Sequence, residues 1–299
     1  MAQKSFRVGA LSIVIHPHSP DKYLALMRKA EKLDRPVCLR GDTYANISFI
    51  HKATRDGAKD GPISGEFIKY TNIDKNSDWY NIVSKETATE EELAKIKELP
   101  DHLKPNMAKF SFIFFPDSHT LIFEQSYDSK TFSPGFAQKT LSTIFNMPEI
   151  FDKYGKVHVH IIPAMEKVDE ILSNKTMSYL CMHITRPNPD DVKSAEAKFK
   201  KRLQKLNAER QQTTLVPPRG ESLQLDEEEK TIAKVAAKNG YVEAKVVNAH
   251  SNRVETVSTK EHNFSDTIVF NPETTDPFSQ MAAKAPSIIQ KIKDWIQNE

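Results

Sequence analysis

A chain of 299 residues, 38% hydrophobic and 27% charged, is too apolar to be disordered throughout and long enough to bury a large core. A formal net charge of +2 excludes a strong global field, so any surface for nucleic acid must come from local segregation of charge. The two cysteines, Cys38 and Cys181, lie far apart and outside any CxxC pattern, which argues against a disulfide scaffold or a cysteine-based zinc site and fits a reducing cytoplasm.

Ser5 to Ile15 alternates as a strand, too short for a membrane span, and nothing before it has a signal peptide's cleavage pattern. Ser19-Pro20-Asp21 then supplies a cap and a first-turn proline for a helix carrying Tyr23, Leu26, Met27, Ala30 and Leu33. Ala45–Ile50, Gly65–Tyr70 and Trp79–Val83 read as strands of a meander, followed by an exposed helical connector over Thr87–Leu99.

Phe110–Phe115 turns through Pro116-Asp-Ser-His-Thr120 and returns as Leu121–Gln125. Both faces of this hairpin are apolar, which places it inside a sheet covered on both sides. Ser133-Pro134 starts a helix with Ala137, Leu141, Ile144 and Phe145 at helical spacing. Val157–Ile162 is a strand, Ala164–Leu172 a short helix, and Met177–Ile184 a further strand. This ββαβαβ order predicts an α+β class, with mixed β-sheets and helices packed on them.

A composition shift after Arg186-Pro-Asn-Pro-Asp190 divides the chain into a body over 1–188, with sub-lobes 1–100 and 106–188, and a C-terminal region over 189–299. Asn188-Pro189 caps an expected helix to about Gln211 whose Val192, Ala195, Phe199, Leu203 and Leu206 form one stripe. Thr213–Glu221 reads as a loop. Asp226-Glu-Glu-Glu229 starts a second helix that Asn239-Gly240 ends, and a hairpin follows over 241–259. After Thr267–Phe270 comes a final amphipathic helix with Ile288, Ile289, Ile292, Trp295 and Ile296, and with Pro286 near its start.

His158 and His160 share one strand face and His183 lies on a nearby strand, so three imidazoles could meet. No carboxylate accompanies them at a recognisable spacing, and the reading adopted is that no metal or other cofactor is held. His183-Ile184-Thr185 matches the His-x-Thr element of two-histidine phosphoesterases, whose second copy has only imperfect substitutes here, His16-Pro17-His18-Ser19 and His158-Val159-His160. His158, His160, His183 and Thr185 are therefore the catalytic set of an alternative reading, a histidine-dependent phosphodiesterase or nuclease. With 9 glycines the chain lacks both GxxxxGK[ST] and GxGxxG phosphate loops. On the 189–211 helix, Lys198, Lys201, Arg202 and Lys205 occupy a roughly 100° arc away from the apolar stripe, where they can track phosphates. Lys245 and Arg253 of the later hairpin add further candidate contacts.

Phe110 through Glu124, then Val157-His-Val-His-Ile-Ile-Pro163, then the strand ending Met182-His-Ile-Thr185 resemble the layout of RexA-like phage-exclusion proteins and of bacterial and prophage proteins of similar pattern. The resemblance covers about 106–188. It implies a cytoplasmic, dimeric DNA-binding protein with a role in phage exclusion or prophage biology; the first reading is accordingly a non-enzymatic protein that binds duplex or single-stranded DNA, with a phage protein or defence-system component as a further partner, and the sequence itself offers no membrane partner. The C-terminal part, including Asn239-Gly-Tyr-Val-Glu-Ala-Lys245, departs from that family. A protein-binding subunit of a defence complex is the third reading.

Overall fold

The computed structural model describes residues 3–52, 61–187, 195–248 and 251–297. The chain begins with β1 (Lys4–Val14), α1 (Pro20–Leu33), β2 (Val37–Arg40), β3 (Thr43–Lys52) and β4 (Ile63–Thr71). A small excursion follows through β5 (Tyr80–Asn81), β6 (Glu86–Thr87) and α2 (Glu90–Lys97). The central hairpin is β7 (Ala108–Phe115) and β8 (Thr120–Tyr127), with β9 (Lys130–Thr131) beyond it. Next come α3 (Pro134–Phe145), α4 (Pro148–Tyr154), β10 (His158–Ile161), α5 (Met165–Leu172) and β11 (Tyr179–Thr185). The remainder is α6 (Ala195–Lys205), β12 (Arg210–Leu215), α7 (Glu227–Lys238), β13 (Gly240–Val247), β14 (Val254–Ser258), β15 (Asp266–Phe270) and α8 (Pro277–Gln297).

The α+β class holds, with one revision: the paired strands are antiparallel, not mixed. The large sheet runs β10-β1-β8-β7-β4-β3-β2, with β15 paired to the first half of β1 and β10 to its second half. The smaller sheet runs β12-β11-β13-β14. β11 thus belongs with strands that follow residue 188, so a domain boundary there would cut a shared sheet. β15 then returns to the large sheet. A single apolar cluster joins Val8 and Ile122 of the large sheet to Met182 and Val242 of the small one through α5, α7 and α8.

The hairpin is central as its sequence predicts. Phe110, Phe112 and Phe114 are buried against the layer of α1, α3 and α4, while Ile113 faces the opposite core. Each such side chain contributes about 1.5–3 kcal/mol by leaving water. Ser133 caps α3 and Asp226 caps α7, each accepting from the third backbone N–H of its helix.

Four expectations need correction. Trp79–Val83 is not an apolar strand: only Tyr80–Asn81 pairs, and Ile82 and Val83 are 81% and 88% exposed. The helix expected to reach Gln211 ends at Lys205, because Asn207 turns left-handed (φ 49°) and Ala208 N–H bonds back to Leu203 O. Leu206 is consequently 64% exposed and leaves the stripe, whereas Phe199 and Leu203 remain buried. Arg210–Leu215, assigned to helix end and loop, is the edge strand β12. Finally, α8 begins at Pro277, so Pro286 lies inside it, while Ile288, Ile292 and Trp295 dock on the body. Residues 188–194, with the expected cap and Val192, lie outside the described residues. Among the described residues no helix is long and apolar enough to cross a membrane.

Candidate functional site: a histidine-lined cleft between the sheets

Side chains alternate across β11, so Leu180, Met182 and Ile184 enter the core while Tyr179, Cys181, His183 and Thr185 share the other face. Register places Arg210 beside Thr185, Gln212 beside His183, and Tyr241 on the other side of His183. Across from this face stands β10, an edge strand of the large sheet, whose His160 pairs in register with Ser12. Between them lies a cavity of about 860 Å³ lined by His160, His183, Thr185, Arg210, Gln212 and Tyr241, among others. The segment from β14 back to β15 adds Thr259, Lys260 and Asn263 to its wall. That segment is fixed by backbone hydrogen bonds, Ala164 N–H to His262 O at 2.8 Å and Phe264 N–H to Ile162 O at 2.8 Å.

The cleft is built of donors and rings. His183 stacks on Tyr241 with centroids 4.1 Å apart and planes 17° apart, and Lys260 Nζ lies 3.3 Å from the Tyr241 ring centre. Burial lowers the pKa of His183, with Lys260 and Arg210 adding to the effect against the pull of Glu243. His160 is depressed to about 3, mainly by burial and then by the neighbouring His158. Its Nε2 is sealed from solvent with no hydrogen-bond partner among the described residues. The rings of His158 and His160 lie nearly parallel, 6.0 Å apart. His158 Nε2 is 3.1 Å from Glu209 Oε1, yet burial outweighs that carboxylate and lowers its pKa, so the contact is a hydrogen bond from a neutral imidazole. No carboxylate is among the described residues lining the cavity.

Thus His160, His183 and Thr185 come together, with His158 adjoining them. Among the described residues no three His, Cys, Asp or Glu side chains are grouped to hold a metal ion. Lys198, Lys201, Arg202 and Lys205 are exposed on α6. Lys245 is exposed on the same sheet face as Tyr241, its Nζ 5.3 Å from the Tyr179 ring centre. Arg253 is exposed in the turn at the end of β13 remote from the cleft. Sequence reasoning missed Arg210, Lys260 and Tyr241. The alternation and β-branched threonines of Arg210–Leu215 signal the strand that aims Arg210, whereas nothing local marks Lys260.

A family model described as a domain of unknown function, DUF4747, matches residues 4–286. The chain belongs to the DUF4747 family. No curated protein matches it. The matched residues of this DUF4747 chain include both sheets and every residue named in the cleft.

The depressed histidines make acid stability a readout of the site. His16, whose pKa burial lowers to about 4, and His160 at about 3 both fall below the ordinary 6.5. The unfolded chain therefore takes up these protons first as pH falls. The stability they confer is complete above pH 6.5 and is lost on the way down through the folded values. Glu124, raised to about 7 by burial, acts oppositely, favouring the fold below pH 4.5 and losing that contribution as pH rises through 7. In His160→Gln the unfolding midpoint should fall less steeply from pH 6.5 to 4 than in the wild type. Identical slopes would mean that His160 titrates normally.

Proposed function

We propose that this protein binds nucleic acid without catalysing a reaction on it, holding the phosphate backbone in the cleft between the two sheets and along the cationic face of α6. The observation carrying this reading is the lining of the cleft, where Arg210, Lys260, two imidazoles, hydroxyls and amides meet without a lining carboxylate. Guanidinium and ammonium donors suit phosphate oxygens, and Tyr241 and His183 offer ring faces suited to bases. The cations of the cleft and of α6 engage the backbone that all sequences share, which favours binding largely independent of sequence. The RexA-like layout supports assigning that binding to DNA, in a cytoplasmic, dimeric protein of phage exclusion with a phage or defence-system partner.

The test is fluorescence anisotropy with DNA of several sequences. An Arg210→Gln/Lys260→Gln double variant should bind every sequence on the order of tenfold or more weakly, from loss of two charge-assisted contacts. Unchanged affinity in a folded double variant would remove the cleft from the binding surface.

The convergence of His160, His183 and Thr185 favours a second reading as a phosphodiesterase or nuclease. Against it, general acid–base catalysis works best with a pKa near the operating pH, and His160 lies far below neutrality. Cleavage of an oligonucleotide or cyclic nucleotide in a metal screen, lost in His183→Ala, would decide for hydrolysis. Intact substrates would decide against it.

A further inference from the structure

A second cavity, of about 440 Å³, lies where the end of β11 approaches the start of α1. It is lined by His16, Pro17, His18, Arg186, Lys200 and Gln204. Lys200 and Gln204 are one helical turn apart on α6 and so project from one side of it. Lys200 is half-buried and has no ion-pair partner among the described residues. Burial lowers the pKa of its ammonium, and the adjacent Arg186 lowers it further. The Arg186 Nε is sealed from solvent and has no hydrogen-bond partner among the described residues. Beneath it, His16 Nε2 lies 3.0 Å from Arg186 O; a ring nitrogen must donate to bond a carbonyl, so this imidazole pins the backbone that carries Arg186. The carboxylate of Glu209, whose backbone carbonyl accepts the Arg186 N–H, is engaged by Lys156 at 2.7 Å and His158 at 3.1 Å. Two cations thus stand side by side, partly out of water, with no carboxylate among the described lining residues. Such a pair is unfavourable until an anion joins it.

The charge identifies the anion. An internal phosphodiester carries one negative charge and would leave one cation unmatched, whereas a terminal phosphomonoester carries about −1.5 to −2 at neutral pH. A guanidinium fork beside an ammonium suits its three free oxygens. His158 stands between the two cavities: its Nε2 is 3.1 Å from Glu209 Oε1, the residue whose carbonyl accepts the Arg186 N–H, and its ring lies 6.0 Å from that of His160 in the cleft. We infer that the Arg186–Lys200 cavity is a phosphomonoester site that receives the phosphorylated end of a nucleic-acid strand whose backbone continues into the cleft. The choice of a strand as the bearer of that phosphate rests on the function proposed above; the anion site itself does not.

The test uses the full chain and three single-stranded oligonucleotides of one sequence, ending in a 5′-phosphate, a 3′-phosphate or hydroxyls only. Inorganic phosphate serves as competitor, against chloride at equal ionic strength. One phosphorylated end should bind about tenfold tighter than the hydroxyl-ended strand, a difference inorganic phosphate abolishes. Lys200→Met should bind all three strands alike, at the wild-type affinity for the hydroxyl-ended one. Its Tm should equal or exceed the wild-type value, because a half-buried cation with no ion-pair partner among the described residues has been removed, whereas loss of an ordinary ion-paired lysine would lower it. Equal wild-type affinity for the three ends, with no effect of inorganic phosphate, overturns the site and leaves the nucleic-acid reading standing. A preference for phosphorylated ends that survives in Lys200→Met also overturns it. If no strand binds but inorganic phosphate raises the wild-type Tm and not that of Lys200→Met, the anion site stands, its ligand is a free phosphomonoester or phosphate, and the nucleic-acid reading fails.

Discussion

Gly240→Ala should destabilise the fold by on the order of 3 kcal/mol, a large loss for one methyl group. A Cβ at residue 240 would lie 2.0 Å from the backbone carbonyl oxygen of His183 and 3.3 Å from that of Ala236. Neither atom is the free end of a side chain. β13 would have to move away from β11 at the position where Ile184 and Gly240 pair, and where Thr185 N–H bonds Asn239 O at 3.0 Å. The same movement would part His183 from Tyr241 and widen the cleft, so loss of stability and loss of binding should occur together. Urea unfolding measures the first. A variant as stable as the wild type would show that the two strands are less closely apposed than described.

The second large effect concerns binding. Converting Lys198, Lys201, Arg202 and Lys205 to glutamine should weaken binding to DNA of every sequence. If each cation neutralises one phosphate, the slope of log affinity against log salt should become shallower by up to about four units. Folding should be spared, because all four side chains are exposed while Phe199 and Leu203 hold α6 to the body. The pairs 198/202 and 201/205 are like charges one turn apart, so their removal should if anything favour the helix. Wild-type affinity together with a wild-type salt slope in the folded variant would make this face merely solvated.

The sequence made its local features legible and its long-range ones much less so. The hairpin at Phe110–Gln125 was readable because its apolar residues occupy both strand faces, and α3 and α7 announce themselves through Ser133 and Asp226. The end of α6 was misread because residues past Leu203 still fit a helical stripe, although Asn207 is a residue type that readily turns left-handed. Assignment of β11 to the second sheet depends on pairing with Arg210–Leu215 and Gly240–Lys245, distant partners that no local periodicity reveals. For the cleft, His160, His183 and Thr185 could be nominated from spacing alone. Arg210 could not, because its strand was missed, and Lys260 reaches Tyr241 only through the path of the chain between two sheets.

The most direct test of nucleic acid held between the sheets is backbone hydrogen exchange, compared with and without DNA at low salt. Binding in the cleft should slow exchange in the segments around 183–185, 210–212, 240–241 and 259–263, which line it from both its strands and its closing loop. Segments on the far side of the large sheet, such as α4, should be unaffected. DNA that binds without protecting the cleft segments, or no binding at all at low salt, would contradict the account.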